Sequence, residues 1–215
     1  MKRRVDLIMF DLDGTLADTG ADLADSVNFT RAHFDLAPLA AQRIYTNVGR
    51  GVEHLIRNSL PIGNPDQFNE VMRIFLEYYE THLLDKTVLY PGVHEALDHF
   101  RDKRRVVVSN KIQRFSEAVV RGLGVEDCFD LILGGDSAAE KKPHPALLAL
   151  AMERFKTAPS SALMVGDGDI DVEAGKRAGV ITCGVTYGLG NKDDLMAAEP
   201  DFLIDDLGRL VEYFS

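Results

Sequence analysis

Leu7-Ile8-Met9-Phe10-Asp11-Leu12-Asp13-Gly14-Thr15 is the stretch that decides how this chain is read. Leu7 to Phe10 is an apolar run without polar alternation, the pattern of a strand buried on both faces of a parallel sheet. Asp11 and Asp13 follow it directly. At the carboxyl end of such a strand they stand where open α/β folds bind their ligands. Side chains at i and i+2 of an extended segment point the same way, so both carboxylates can act on one ligand. Two like charges so close are costly unless a cation joins them, and the pattern therefore asks for a metal. Gly14 and Thr15 supply a turn and a candidate helix-capping hydroxyl. Taken alone, the stretch also fits an acidic loop that closes a strand.

Three later segments repeat the arrangement. Val106-Val107-Val108 is a β-branched strand candidate that ends in Ser109-Asn110-Lys111, a hydroxyl and an amide suited to phosphate oxygens. Lys141-Lys142-Pro143-His144-Pro145 precedes a helical pattern with Leu148, Met152 and Phe155 on one face, and Pro145 suits its first turn. Because a residue before proline is held extended, Lys142 rather than Lys141 is expected to be aimed at a site. Ala162-Leu163-Met164-Val165 reads as a further strand, followed by Gly166-Asp167-Gly168-Asp169-Ile170-Asp171. Singly, Ser109 reads as a turn residue, Lys142 as a solvated charge and the aspartates as helix caps. In order, each after a strand, they read as one site.

Between the first strand and the rest the periodicity is helical. Phe68, Val71, Met72, Phe75, Leu76 and Tyr79 make an apolar stripe, and Pro61, Gly63, Asn64 and Pro65 mark the turn before it. From Tyr90 onward strands near 106–109, 131–134, 162–165, 181–186 and 202–204 alternate with helices near 93–103, 114–123, 145–156, 171–178 and 206–214. Such alternation implies a parallel sheet with helical crossovers. The expected fold is α/β, a Rossmann-like parallel sheet flanked by helices with an inserted all-helical block. Residues 1–17 plus 88–215 form the core and residues 18–87 the insertion.

Composition narrows the function. A chain of 215 residues with 46% hydrophobic content can bury a sizeable core. A net charge of −10 argues against a nucleic-acid partner, since phosphate backbones demand clustered Lys and Arg. Lys103-Arg104-Arg105 is short and reads as a solvated loop. No apolar run approaches the roughly 18 residues of a membrane span, and the basic start leads into no signal peptide. Cys128 and Cys183 stand apart without metal-ligand spacing, as expected of reduced thiols in a cytoplasm. No G-x-G-x-x-G follows the first strand, which disfavours a dinucleotide site, and Gly188-Leu189-Gly190 reads as a loop.

The four segments resemble, in order, the motifs of the haloacid dehalogenase superfamily, most closely its phosphoglycolate phosphatase group. Phe10 to Thr19 is similar to the first motif, Val108 to Lys111 to the second, Lys141 to Pro145 to the third and Val165 to Asp171 to the fourth. Leu89-Tyr90-Pro91-Gly92-Val93 is similar to the segment that returns to the core, and the helical insertion to the family's cap. The resemblance implies Asp11 as nucleophile, Asp13 as acid and then base, and Ser109, Asn110 and Lys142 around the phosphoryl oxygens. It implies Mg²⁺ held by Asp11, Asp167 and the Asp13 carbonyl, with Asp171 in support. Gly168 departs from the Ser or Thr of many relatives. The implied activity is hydrolysis of a small phosphate monoester, 2-phosphoglycolate foremost. A sugar phosphomutase of the β-phosphoglucomutase type and a pyrophosphatase or other phosphatase of the superfamily remain alternatives. A non-catalytic module disagrees with the presence of Asp11, Asp13, Lys142 and Asp167 together. The turn Val48-Gly49-Arg50-Gly51-Val52 lies where relatives carry a specificity loop, which makes Arg50 a candidate to bind a second anionic group.

Overall fold

The computed structural model describes residues 2–215. In chain order its strands are β1 (Leu7–Phe10), β2 (Ala17–Asp18), β3 (Val88–Leu89), β4 (Arg104–Val108), β5 (Leu131–Leu133), β6 (Ala162–Gly166), β7 (Ile181–Val185) and β8 (Phe202–Ile204). Its helices are α1 (Gly20–His33), α2 (Ala41–Tyr45), α3 (Val52–Ser59), α4 (Pro65–His82), α5 (Val93–His99), α6 (Gln113–Gly122), α7 (Ala146–Phe155), α8 (Asp169–Ala178), α9 (Lys192–Ala197) and α10 (Leu210–Tyr213).

Six strands make one parallel sheet in the order β5-β4-β1-β6-β7-β8. The unbroken apolar run of β1 is explained by its central place, since it is buried along its whole length. Leu7 and Met9 face Leu147, Leu148 and Ala151 of α7 and Ala174 of α8. Ile8 and Phe10 face the opposite core, which includes Leu97 of α5 and Val119 of α6 and continues up to Leu23, Phe75 and Tyr79 of the helical block. Phe10 stands beside Val107 on one side and Val165 on the other. The chain proceeds from β1 outward through β4 and β5, then crosses to β6, β7 and β8. The carboxyl ends of β1, β4 and β6 therefore border the crevice where the strand order reverses.

Helices α1 to α4 lie between β2 and β3, a two-residue antiparallel pair in which Ala17 opposes Leu89 and Asp18 opposes Val88. The expected apolar stripe is one face of α4, which starts at Pro65 with Asn64 Oδ1 accepting from the Gln67 N–H at 2.9 Å. Asp22 of α1 is buried and accepts from the Lys86 and Thr87 backbone N–H groups and from the Thr87 hydroxyl at 2.7–3.1 Å. That carboxylate ties the first inserted helix to the chain just before β3.

Several boundaries differ from the sequence reading. Arg104 and Arg105 open β4 rather than sitting in a solvated loop, because Asp130 bonds both the Arg104 guanidinium and the Arg105 N–H. The fifth helix ends at His99, α8 begins two residues early at Asp169, and the C-terminal segment is a short 3₁₀ turn, Leu207–Arg209, before α10. The chain ends meet, Val5 N–H donating to Ser215 O and Ser215 N–H to Arg3 O. Among the described residues no helix is long and apolar enough to cross a membrane, and Cys128 and Cys183 are both free thiols.

Candidate active site

Asp11 leaves β1 with its N–H still donating to Val165 O of β6, so the sheet itself sets its position. Lys142, whose side chain is 0% exposed, places Nζ 2.9 Å from Asp11 Oδ1 and 2.7 Å from Asp171 Oδ1, and donates to Val108 O at 2.7 Å. It reaches this point through Asn110. The Asn110 Oδ1 accepts from the Lys142 N–H at 2.9 Å, and Nδ2 donates to Lys142 O at 2.9 Å and to Gly49 O at 3.0 Å. The Asn110 amide is thus committed to holding the lysine segment and a loop of the helical block. Lys142 precedes a cis peptide bond to Pro143, and Lys141 points elsewhere, toward Gly51. Ser109 is buried and lines the cleft over Asp11 and Asp13.

Asp167 and Asp171 come from the end of β6 and the first turn of α8. Asp167 accepts from the Thr15 hydroxyl at 3.1 Å and the Gly190 N–H at 2.8 Å. The Thr15 hydroxyl therefore serves Asp167 and caps no helix, and the 188–190 loop forms part of the site. Gly14 makes this approach feasible. Its φ of +86° is in the left-handed region, and a Cβ there would lie 2.1 Å from Asp167 Oδ2. At Gly168 the backbone N–H donates to Asp171 Oδ2 at 3.0 Å, a bond that needs no side chain at this position.

Asp11, Asp167 and Asp171 each place a carboxylate oxygen within 4.8 Å of the others, and all three are buried. Burial chiefly, with the neighbouring carboxylates, pushes Asp11 up to about 8 against the opposing pull of Lys142. Burial and then Asp171 push Asp167 up to about 7, while its bonds to Gly190 and Thr15 act the other way. Three enclosed carboxylates against one ammonium favour either protons or a second cation. Hard oxygen donors in a space kept open by Gly14 suit Mg²⁺.

Asp13 faces a different partner. Its Oδ1 accepts from the Thr19 hydroxyl at 2.6 Å and lies 2.9 Å from Lys111 Nζ, a side chain 7% exposed. Sequence reasoning gives Lys111 no role; β4 ends at Val108, and the bend after it, in which the Lys111 N–H donates to Ser109 Oγ at 3.2 Å, brings the lysine to Asp13. Arg50 lines the cleft on the side of Asp167 to Asp171, where its Nη2 is 2.6 Å from Asp169 Oδ2. The structure thus gathers Asp11, Asp13, Ser109, Asn110, Lys142, Asp167 and Asp171 at the sheet's carboxyl edge and leaves Arg50 at the rim, paired.

Residues 8–185 match the haloacid dehalogenase-like hydrolase family. A phosphoglycolate phosphatase of Nitrosococcus oceani is 34% identical, spanning 100% of this chain and 99% of its own. A phosphoglycolate phosphatase of Colwellia psychrerythraea is 33% identical over 96% and 95% of the two chains. The crystal structure of a predicted phosphoglycolate phosphatase from Haemophilus somnus superposes with a TM-score of 0.92 at 30% identity, covering 97% of each chain.

Proposed function

Because the chain belongs to the haloacid dehalogenase-like hydrolase family, we propose that it is a Mg²⁺-dependent phosphatase of small phosphate monoesters, with 2-phosphoglycolate the foremost substrate. The observation that carries the reading is Asp11, fixed at the switch point of the sheet and held 2.9 Å from the wholly buried Lys142. Residues 1–17 with 88–215 act as the catalytic core and 18–87 as a cap. The working environment is the cytoplasm, in keeping with two free thiols.

Phosphoryl transfer is catalysed mostly by positioning and charge neutralisation. Asp11 attacks phosphorus as the ester bond breaks, and the departing oxygen takes its proton from Asp13. Water then attacks the aspartyl-phosphate and gives its proton to Asp13, which frees Asp11 and phosphate. Lys142 stays beside Asp11 throughout and meets the charge of the transferring group, and the Ser109 hydroxyl donates to one of its oxygens. Asn110 acts by holding Lys142. Asp11, Asp167 and the Asp13 carbonyl would hold Mg²⁺, with Asp171 in support, and the bound cation supplies charge neutralisation at the phosphoryl oxygens. Arg50 fastens the 48–52 loop over the site through Asp169.

Purified protein should hydrolyse an aryl phosphate with Mg²⁺, lose that activity with EDTA, and lose it in Asp11→Asn, whose amide cannot attack phosphorus. Wild-type turnover by that variant would refute the nucleophile assignment. Conversion of β-glucose 1-phosphate to the 6-phosphate without phosphate release would replace the phosphatase with a mutase.

A further inference from the structure

The cleft that opens beside Asp13 has apolar walls, among them Leu23, Val52, Leu55, Phe75 and Ile112. Its charged lining residues are Asp11, Asp13 and Lys111, so Lys111 is the one cation among the described residues that line it. The ammonium offers three N–H donors, and Asp13 Oδ1 takes one at 2.9 Å. It stands 4.9 Å from the centroid of the Tyr79 ring. Tyr79 lines the same cleft and is 1% exposed, and among the described residues its buried hydroxyl has no partner within ordinary hydrogen-bond geometry. A cation with spare donors and a tyrosine whose buried hydroxyl lacks an ordinary partner thus stand side by side in the wall of a cavity that begins at the proposed acid. Buried polar groups left in this state are costly until something completes them.

We propose that Lys111, with Tyr79, receives a carboxylate on the leaving group, and that the substrates are phosphate esters of α-hydroxy acids. The inference rests on the phosphatase reading and adds a ruler to it. Asp13 must touch the ester oxygen to protonate it, and Lys111 Nζ is one hydrogen-bond length from Asp13. An anion within reach of both groups belongs on the carbon next to the one that bears the ester oxygen. A longer acid drives its carboxylate past the ammonium into the apolar wall. Without Lys111 the incoming carboxylate would meet only Asp11 and Asp13, both of its own sign. Arg50 is less suited to the role, being 43% exposed at the side chain and already bound to Asp169.

The test compares 2-phosphoglycolate, 2-hydroxyethyl phosphate, which replaces the carboxylate with an alcohol, and 3-phosphooxypropionate, one carbon longer. The wild type should favour 2-phosphoglycolate over the other two in kcat/KM by roughly 10- to 100-fold, the value of one charge-assisted contact. Lys111→Met should collapse that ratio toward unity whatever happens to the absolute rates. Tyr79→Phe, which removes a hydroxyl without an ordinary hydrogen-bond partner in the fold, should fold normally and reduce the ratio several-fold. Equal slowing of all three esters in Lys111→Met would overturn the proposal, because the lysine would then serve Asp13 alone. A wild type that cleaves aryl phosphates and 2-hydroxyethyl phosphate without favouring 2-phosphoglycolate would overturn it too, leaving the phosphatase reading intact. Binding separates the two readings without turnover. By calorimetry, 3-phosphonopropionate should bind the wild type more tightly than propylphosphonate, and Lys111→Met should erase the difference. An equal affinity of the wild type for both phosphonates would overturn the receptor even in an active enzyme.

Discussion

Lys142→Met removes one positive charge from the most enclosed part of the molecule and replaces it with a side chain of similar length. The cavity contribution is therefore small, and the loss is electrostatic. Lys142 Nζ serves two buried carboxylates, at 2.9 Å and 2.7 Å, and both lose their partner at once. Breaking a buried ion pair from one side costs about 3–5 kcal/mol, and for a chain of this size each kcal/mol lowers Tm by about 2–4 °C. The metal-free variant should thus melt roughly 6–20 °C below the wild type at pH 8. Lowering the pH should narrow the gap, because Asp11, already pushed up to about 8 by burial, takes a proton in place of the missing ammonium. Mg²⁺ should narrow it as well. Lys141→Met, on a half-buried side chain directed at Gly51, should leave Tm almost unmoved. Thermal melts of both variants at pH 6 and 8, with Mg²⁺ and with EDTA, read all of this. Equal melting of Lys142→Met and the wild type in EDTA at pH 8 would show that the buried lysine does not balance these carboxylates.

Three further outcomes follow from the same geometry. Burial raises Asp11 from 3.8 to about 8 and Asp167 from 3.8 to about 7, so the metal-free fold favours their protonated forms; it should lose stability as pH rises from about 4 to 8, and Mg²⁺ should raise Tm more at pH 8 than at pH 6. Asp22→Ala strips the acceptor from two backbone N–H groups and one hydroxyl and should cost about 2–4 kcal/mol in denaturant unfolding, against almost nothing for the exposed Asp25→Ala. Arg50→Ala breaks a partly exposed pair, so Tm should hold within a few degrees while KM rises several-fold for every ester alike; a rise confined to carboxylate-bearing esters would make Arg50 a reader of substrate rather than a fastening for the loop.

The sheet was legible because its strands are continuous apolar runs, and the site because each run ends in chemistry-bearing residues. β2 and β3 left no signal, since two residues cannot display a period. Helix α9 was hidden for a related reason: it has six residues, buries only Leu195, and owes its start to Asn191 Oδ1 accepting from the Asp193 and Asp194 N–H groups. Asp22 reads as an ordinary surface acid on a helix, because its partners lie more than sixty residues away. Separations of more than a hundred residues hid the Arg50–Asp169 pair and the service of Thr15 to Asp167. Lys111 was visible as part of a motif, but its role depends on Asp13 and Tyr79, which only the packed cleft brings to it. Periodicity reports which face of an element is buried; it carries no information about who stands opposite.

The place of β1 bears on how the enzyme is made. Of the six strands in the sheet β1 is translated first, yet its neighbours are β4 and β6, and the segment before it is tied to Ser215. A nascent polypeptide carries Asp11 long before Lys142, Asp167 or Asp171 exists. The nucleophile strand therefore has no sheet neighbour until β4 follows, and its second flank stays open until β6 follows. Domains generally mature in the order of translation. Here the first strand of the sheet is enclosed only when β6 arrives, so a product truncated before β6 would leave Leu7 to Phe10 open along one edge, an adhesive strand without any capacity for catalysis.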